Sequence, residues 1–305
     1  MSVCGLTITF TYDYNMARVD KFRTDVDKVE LYAFDETGTL VDKYDADFTG
    51  SPGNEMKIEL DTRKFTFPGN YTFVAWCDLA DKLNVLNSSS LSVMSVALRD
   101  VGTVAYERQP EKVFWGRIDN VPLKRMDNQK QNISLMKGTN NISVKLNGLP
   151  YATRVSVEPE FVVRVVSKNY EFHNTHLLSV AARGGNVLYG AKYDYTGQSS
   201  NVLNSNFNIM RMFKNGDCAS HLVVYHTPAN PNAPVEVLYD ESLVDLCLAP
   251  TRMGGTRTDA EDQEYLDRQD QHSIELTFDR TYQVVKIVVD DYVVHDSSSN
   301  GGTLG

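Results

Sequence analysis

The fold is decided by K-V-E-L-Y-A-F-D-E-T-G-T-L-V-D-K-Y, residues 28–44. Its first seven residues predict a β-strand with apolar side chains on both faces, Val29 and Leu31 on one face and Phe34 on the other. The D-E-T-G that follows predicts a tight turn, because Asp and Thr side chains can bond the local backbone and Gly38 tolerates a positive φ. Residues 28–44 therefore predict a β-hairpin, and the rest of the chain has to supply layers that cover both of its faces.

The composition is that of a packed globular protein. The 305 residues suggest about two domains, and a hydrophobic content of 42% is too high for a disordered chain. The formal net charge of -10 argues against a nucleic-acid partner, since a phosphate backbone requires clustered Lys and Arg. No apolar run reaches the roughly 18 residues of a transmembrane helix. No signal peptide is visible, and we expect the given chain to be a mature or trimmed form of an exported protein.

Short strands with period-two alternation recur along the whole chain. Residues 6–12 alternate apolar residues with threonine, and residues 142–147 restart this pattern after Lys-Gly-Thr at 137–139. We therefore predict an N-terminal domain of residues 1–137 and a C-terminal domain of residues 138–305.

Helices contribute little to the predicted fold. Strands at short intervals without alternating helices favour antiparallel sandwiches over a parallel sheet. The spacing of Thr258 and Glu261 is typical of a capping box, which predicts one short helix. The predicted fold is all-β, with two tandem antiparallel β-sandwich domains and one short helix in the second.

Four cysteines occur, Cys4, Cys77, Cys218 and Cys247, and none of them forms a C-x-x-C pair. Two cysteines in each half of the chain fit one disulfide per domain in an oxidising compartment. We expect Cys4 to pair with Cys77 and Cys218 with Cys247. The alternative is a cytoplasmic protein with four buried thiols, and four reactive thiols in the unfolded, unreduced protein would refute both bonds.

Five motifs carry a resemblance to a known family. They are C-G-L at 4–6, F-T-Y-D-Y-N-M at 10–16, V-x-L-Y-A-F-D-x-x-G at 29–38, G-x-Y-x-F-V-A-W-C at 69–77 and E-Y-L-D-R at 264–268. In combination they resemble the FimB/Mfa2 family of fimbrial anchor lipoproteins from Bacteroidales.

This resemblance implies two transthyretin-like β-sandwich domains, export and a non-enzymatic role at the base of a surface fimbrium. It implies fimbrial subunits as partners, localisation at the outer membrane on the cell surface, and lipid attachment at an N-terminal cysteine. The sequence departs from the family because it contains no lipobox. Cys4 opens a strand, so we interpret it as structural and expect any lipid on a segment absent from the given chain.

The C-terminal tail is the predicted partner-binding site. A sheet edge can accept a partner strand through its open N–H and C=O groups. Residues 284–294 are strongly β-prone and precede a flexible Ser/Gly run at 296–305. The residues of the candidate tail strand are Val284, Val285, Ile287, Val289 and Val293. The alternative is a final core strand with a frayed end, and unchanged pilin binding after deletion of residues 296–305 would exclude the tail.

A surface carbohydrate-binding module or tip adhesin is the alternative function. Trp76 and Trp115 could stack on a sugar, but their apolar strand contexts favour core packing. Tyr193, Asp194 and Tyr195 lie in a polar loop and are better placed for a surface contact. Specific binding on a glycan array without pilin binding would favour this function.

No metal or cofactor site is predicted. His173 and His176 lie three apart near Glu171, but in a strand or loop this spacing does not align ligands as a helix would. His221 and His226 are expected on opposite faces of one strand.

No catalytic site is predicted either. The acidic residues at 45–47 and 290–291 lack a loop of oxygen ligands for calcium, so solvated charge is the better interpretation. The sequence contains no G-x-S-x-G elbow, no H-E-x-x-H, no P-loop and no G-x-G-x-x-G after a strand.

Overall fold

The computed structural model of the chain is built almost entirely from β-strands, which confirms the predicted all-β class. It describes residues 5–49, 57–79, 83–98, 110, 112–124, 128–149, 161–167, 171–174, 187–190, 192–194, 202–214, 220–228, 230, 232–252 and 254–297.

The strands and helices follow one another in this order: β1 (Leu6–Thr11), α1 (Phe22–Asp25), β2 (Lys28–Phe34), β3 (Leu40–Asp47), β4 (Lys57–Leu60), a 3₁₀ turn (Thr62–Lys64), β5 (Gly69–Cys77), β6 (Leu83–Leu86), β7 (Ser95–Leu98), β8 (Phe114–Leu123), β9 (Gln129–Lys137), β10 (Thr139–Asn147), β11 (Phe161–Ser167), β12 (Glu171–His173), β13 (Val187–Gly190), β14 (Lys192–Asp194), β15 (Val202–Met210), β16 (His221–His226), β17 (Glu236–Ser242), α2 (Leu243–Arg252), α3 (Asp259–Arg268), β18 (Gln271–Phe278), β19 (Val284–Val289) and β20 (Tyr292–Asp296).

The chain divides into two compact units. Unit 1 comprises residues 1–100, 110–139 and 170–181, and unit 2 comprises residues 101–109, 140–169 and 182–305. These ranges are not identical with the predicted domains, residues 1–137 and 138–305, which stay a prediction.

In unit 1 a seven-stranded sheet runs in the order β3-β2-β5-β8-β9-β1-β4, beside a three-stranded sheet β12-β7-β6. β1 pairs antiparallel with β4 but parallel with β9, from Leu6 opposite Gln129 onward. Parallel neighbours require a long connection, and more than a hundred residues separate these two strands. The sheets are therefore mixed, although most of the ladders are antiparallel.

The core of unit 1 explains the apolar pattern of β2. Leu31 belongs to a buried cluster that also contains Ile8 of β1 and Phe73 of β5. On the other face of the hairpin sheet, Phe34 and Trp76 are fully buried. Both faces of the hairpin are thus covered, and the segment between β6 and β7 bonds directly to its turn and to the start of β3.

In unit 2 a six-stranded sheet, β14-β15-β10-β18-β19-β20, accompanies a four-stranded sheet, β13-β11-β16-β17. Aromatic side chains connect the two sheets. Tyr282, from the turn between β18 and β19, lies 6.0 Å from Phe161 and 5.1 Å from His226, measured between ring centroids. β10 and β18 run parallel from Asn141 opposite Gln271 onward, as β1 and β9 do in unit 1.

Two helices of ten residues lie in unit 2. α3 is the predicted helix: the backbone N–H of Thr258 donates to Glu261 at 2.8 Å, and both halves of the capping box are present. Its end is held by a buried ion pair, in which Arg211 donates to both oxygens of Asp267 at 2.6 Å. α2 was not predicted, because its apolar run contains Pro250. The signal for its start is Ser242, whose hydroxyl accepts a hydrogen bond from the backbone N–H of Asp245 at 3.2 Å.

Candidate partner-binding edge

The predicted tail strand is divided between two strands of unit 2. Val284, Val285, Ile287 and Val289 lie in β19, which pairs with β18 on one side and with β20 on the other. Val293 lies in β20, which ends the six-stranded sheet. In the described part of the chain the open edge of this region is therefore β20 (Tyr292–Asp296), while β19 is an interior strand of its sheet and Val289 is fully buried.

β20 is positioned by a two-residue turn. Asp290 and Asp291 connect Val289 to its partner Tyr292, and both have a positive φ, 46° and 69°. Two positive φ values match the type I′ turn that suits the twist of a hairpin. The Asp290 carboxylate accepts a hydrogen bond from the backbone N–H of Ser273 at 2.7 Å, which fixes the turn to β18.

A buried cluster of ionisable groups lies beneath this turn. Nδ1 of His272 is 3.0 Å from the other carboxylate oxygen of Asp290. The His272 residue is only 2% exposed, Cys247 of α2 lies against the imidazole, and the ring of Tyr265 in α3 is 6.3 Å away. Three elements, α2, α3 and β18, thus converge on the turn that presents the edge strand.

The pKa of His272 follows from these neighbours. Burial alone would lower it, but the neighbouring sulfur of Cys247 and the hydrogen bond to Asp290 outweigh burial and raise the pKa to about 10. The imidazole is therefore charged at neutral pH, and an ion pair with Asp290 holds the turn.

The edge itself is apolar. Tyr292 is 54% exposed and Val293 is 47% exposed, and the strand Y-V-V-H-D carries no Lys or Glu and one Asp, at its end. Natural sheets protect their edges with charged residues, lysine above all, with prolines or with bulges. β20 has a bulge in its pairing with β19 and one charged residue at its end, Asp296, but no lysine or proline, so its apolar part can pair with another strand.

The cysteine prediction is only partly within the described residues. Cys77 and Cys247 are buried free thiols in the structure. Cys4 and Cys218 lie outside the described residues, so the two disulfide pairings stay predictions.

Among the aromatic candidates, the two tryptophans give no stacking platform. Trp76 and Trp115 are both buried, with ring centroids 6.3 Å apart. Tyr193 and Asp194 belong to β14, and Tyr195 lies outside the described residues.

The histidine candidates do not converge either. His176 is outside the described residues, and the Glu171 carboxylate accepts a hydrogen bond from Ser95. His221 is exposed beside Asp240, whereas His226 is buried and stacks on Phe161. Among the described residues no three His, Cys, Asp or Glu side chains are placed to hold a metal.

The acidic pairs also have local partners. Lys43 lies 2.9 Å from Asp45, Lys28 lies 4.0 Å from Asp47, and Asp290 holds the β19–β20 turn. Within the described ranges, no helix combines the length and the apolar character needed to cross a membrane.

Comparison with known proteins identifies the family. Residues 1–298 match the model of the fimbrillin-A associated anchor proteins Mfa1 and Mfa2. The chain belongs to this family. The resemblance inferred from the sequence motifs is thereby confirmed.

Solved structures of similar proteins have the same fold. A candidate polysaccharide-binding protein of Bacteroides thetaiotaomicron is 23% identical, with a TM-score of 0.78, over 97% of this chain and 99% of that one. The fimbrial anchor protein Mfa2 of Porphyromonas gingivalis is 18% identical, with a TM-score of 0.71, over 97% of this chain and 100% of that one. A search of curated proteins gave no match.

Proposed function

We propose that the protein is an anchor or assembly subunit of a fimbrium on the outer cell surface, and that it binds fimbrial subunits by β-strand addition to β20. Membership in the anchor family supports the fimbrial role. The proposed role is non-enzymatic and depends on contacts between proteins. Lipid attachment at the outer membrane, through an N-terminal segment outside the given chain, is part of the same proposal.

The apolar open edge of β20 carries the mechanism. An incoming strand would pair with the backbone of β20 and extend the six-stranded sheet. Val293 stands opposite Val288 of β19, so a partner strand would continue a row of apolar side chains across the sheet. The ion pair of His272 and Asp290 keeps the turn in place before a partner arrives, which lowers the ordering cost of binding.

Placing a lysine on this edge tests the mechanism. Val293→Lys imposes a charge of the kind that protects natural edges, and we expect binding of fimbrial subunits to weaken at least about tenfold. The measurement is surface plasmon resonance with subunits purified from the bacterium that produces the protein.

The matched control is Asp45→Lys, which places a lysine on the edge strand β3 of unit 1. This variant should bind like the unmodified protein. Equal binding by both variants and the unmodified protein would exclude β20 as the docking edge. Loss of binding in the control alone would move the site to unit 1.

A carbohydrate-binding or tip adhesin role is the alternative, and one surface favours it. On the outer face of the six-stranded sheet, the Asn141 amide donates to the side-chain oxygens of Asn206 at 2.7 Å and of Asn208 at 2.9 Å. Aligned amides of this kind can hydrogen-bond sugar hydroxyls. Specific glycan-array binding that Asn206→Ala removes, without any binding of fimbrial subunits, would favour the adhesin.

A further inference from the structure

β17 (Glu236–Ser242) is a second open edge of unit 2. It ends the four-stranded sheet, and in the described part of the chain no strand lies beyond it. Val237 is 57% exposed, and Val235, just before the strand, is 56% exposed. Val237 on the strand and Val235 beside it give this edge an exposed apolar patch next to its charged residues.

The charges on β17 all have one sign. Its sequence E-V-L-Y-D-E-S contains three carboxylates and no Lys or Arg. Glu236 lies 3.2 Å from His226 and Asp240 lies 2.7 Å from His221. No described residue of the Lys or Arg type forms an ion pair with Glu236, Asp240 or Glu241.

The edge strand β3 of unit 1 shows what a closed charge network looks like. Lys43 bridges Glu30 at 3.0 Å and Asp45 at 2.9 Å, and Lys64 lies 2.8 Å from Asp42. The carboxylates on and beside β3 therefore have lysine partners within unit 1. In the described part of the chain the β17 carboxylates have no such lysine partner: Glu236 and Asp240 contact histidines, and each can accept a further hydrogen bond from a cation that a partner brings.

We infer that β17 is a docking edge for an extended cationic segment of a protein partner, one that alternates Lys or Arg with aliphatic residues. The partner's backbone pairs with β17, and its aliphatic side chains pack on the exposed valines. Its cations lie beside Glu236 and Glu241, which share the face opposite to that of Val237. This contact is separate from the binding of fimbrial subunits at β20.

Three synthetic peptides test the inference by isothermal titration calorimetry with the full chain. The first, K-V-K-V-K-V-K, has the required pattern. The second, E-V-E-V-E-V-E, reverses its charge. The third, K-V-K-P-K-V-K, keeps the charge but interrupts the pairing, because proline lacks a backbone N–H.

We expect the first peptide to bind about tenfold more tightly than either of the others, and to weaken as salt is added. Val237→Lys should lower the affinity for the first peptide about tenfold, because it places a positive charge on the edge that repels the cationic peptide. The matched variant Val293→Lys, on β20, should leave the affinity unchanged.

Each other outcome overturns the inference. Equal binding of the proline peptide would mean attraction by net charge alone. Loss of binding in Val293→Lys but not in Val237→Lys would assign the peptide to β20. Absence of binding by the first peptide would exclude β17. None of these results bears on fimbrial subunits, which are measured separately.

Discussion

In the hairpin of β2 and β3, the Asp35 carboxylate organises the turn. It accepts hydrogen bonds from the backbone and the hydroxyl of Thr37 at 2.9 and 2.7 Å, and from the backbone of Thr39 at 3.0 Å. Gly38 takes the position with positive φ, 77°.

In the hairpin of β18 and β19, Asp279 forms the same set of bonds. It accepts from the backbone and the hydroxyl of Thr281 at 2.8 and 2.7 Å, and from the backbone of Gln283 at 3.0 Å. Here Tyr282 occupies the positive-φ position, at 62°. Both units thus use one turn design, although only one of the two sequences contains the glycine that signals it.

The strands that follow these turns differ in what they present. After Asp35 the chain runs directly into β3, an edge strand whose carboxylates are paired with lysines. After Asp279 it runs into β19, which the additional strand β20 covers. One edge is closed by charge and the other is apolar, so the same hairpin ends in a protected edge in unit 1 and in an available one in unit 2.

The largest expected effect comes from the ion pair beneath β20, which has no counterpart among the contacts of β3. His272→Ala leaves the Asp290 carboxylate without its imidazole partner, and we expect a loss of about 3 kcal/mol of unfolding free energy. Both tryptophans lie in unit 1, so urea unfolding should be followed by circular dichroism as well as by tryptophan fluorescence.

The control for this variant is His221→Ala, which removes an exposed histidine beside Asp240. It should cost less than about 1 kcal/mol. If both variants lose the same stability, the buried pair does not hold the edge hairpin.

The second prediction concerns pH. The folded pKa of His272 is raised to about 10 from its usual 6.5. The stability that it contributes is therefore complete below pH 6.5 and is lost as the pH rises toward 10. The groups that face the imidazole are Asp290, Cys247 and Tyr265, and burial raises the pKa of Tyr265 to about 12.

The measurement is the urea midpoint between pH 6.5 and pH 10, by circular dichroism. A decline in the unmodified protein that is absent from His272→Ala would support the assignment. A midpoint that declines equally in both proteins would place the titration at another group.

Much of this architecture was predictable from local sequence. The alternation in residues 6–12 and 142–147 gave the first strand of each unit, and the capping box at Thr258 gave α3. The turn at residues 35–38 was predicted because Gly38 marks it. The turn at residues 279–283 was not predicted, because Tyr282 stands where the first turn has Gly38, and a tyrosine does not signal a positive φ.

The binding edge could be predicted only in part. The β-propensity of residues 284–294 identified the region but not the division into β19 and β20, because Asp290 and Asp291 are an unusual pair for a type I′ turn. The carboxylate of Asp290 is stabilised there by Ser273 and His272, which lie on the neighbouring strand. The register of β19 and β20 thus depends on residues that are distant in sequence, and the pattern of residues 284–294 alone does not reveal these contacts.

The third prediction compares the two turns directly. Gly38→Ala should cost about 1 kcal/mol, because a residue with a Cβ resists positive φ. In unit 2, Tyr282→Gly should be about 1 kcal/mol more stable than Tyr282→Ala. Both Tyr282 variants lose the ring contacts with Phe161 and His226, so the difference between their unfolding free energies reports the cost of the positive φ. Equal stability of the two Tyr282 variants would show that the positive φ carries no cost there.

The smallest expected effect tests whether the two turns are equivalent in acid. Hydrogen bonds from Thr37 and Thr39 lower the pKa of Asp35, and those from Thr281 and Gln283 lower the pKa of Asp279. Since both folded pKa values lie below the unfolded one, the stability that these carboxylates contribute is present above about pH 4 and is lost as the pH falls further.

Asp35→Asn and Asp279→Asn should each flatten the acid side of the urea-midpoint curve slightly and to a similar extent. The double variant Asp35→Asn/Asp279→Asn discriminates best, because independent turns in separate units should give additive changes in stability. If only one of the two single variants changes the acid side of the urea-midpoint curve, the two turns share their geometry but contribute differently to stability. The two units would then differ in their turns as well as in the edges that follow them.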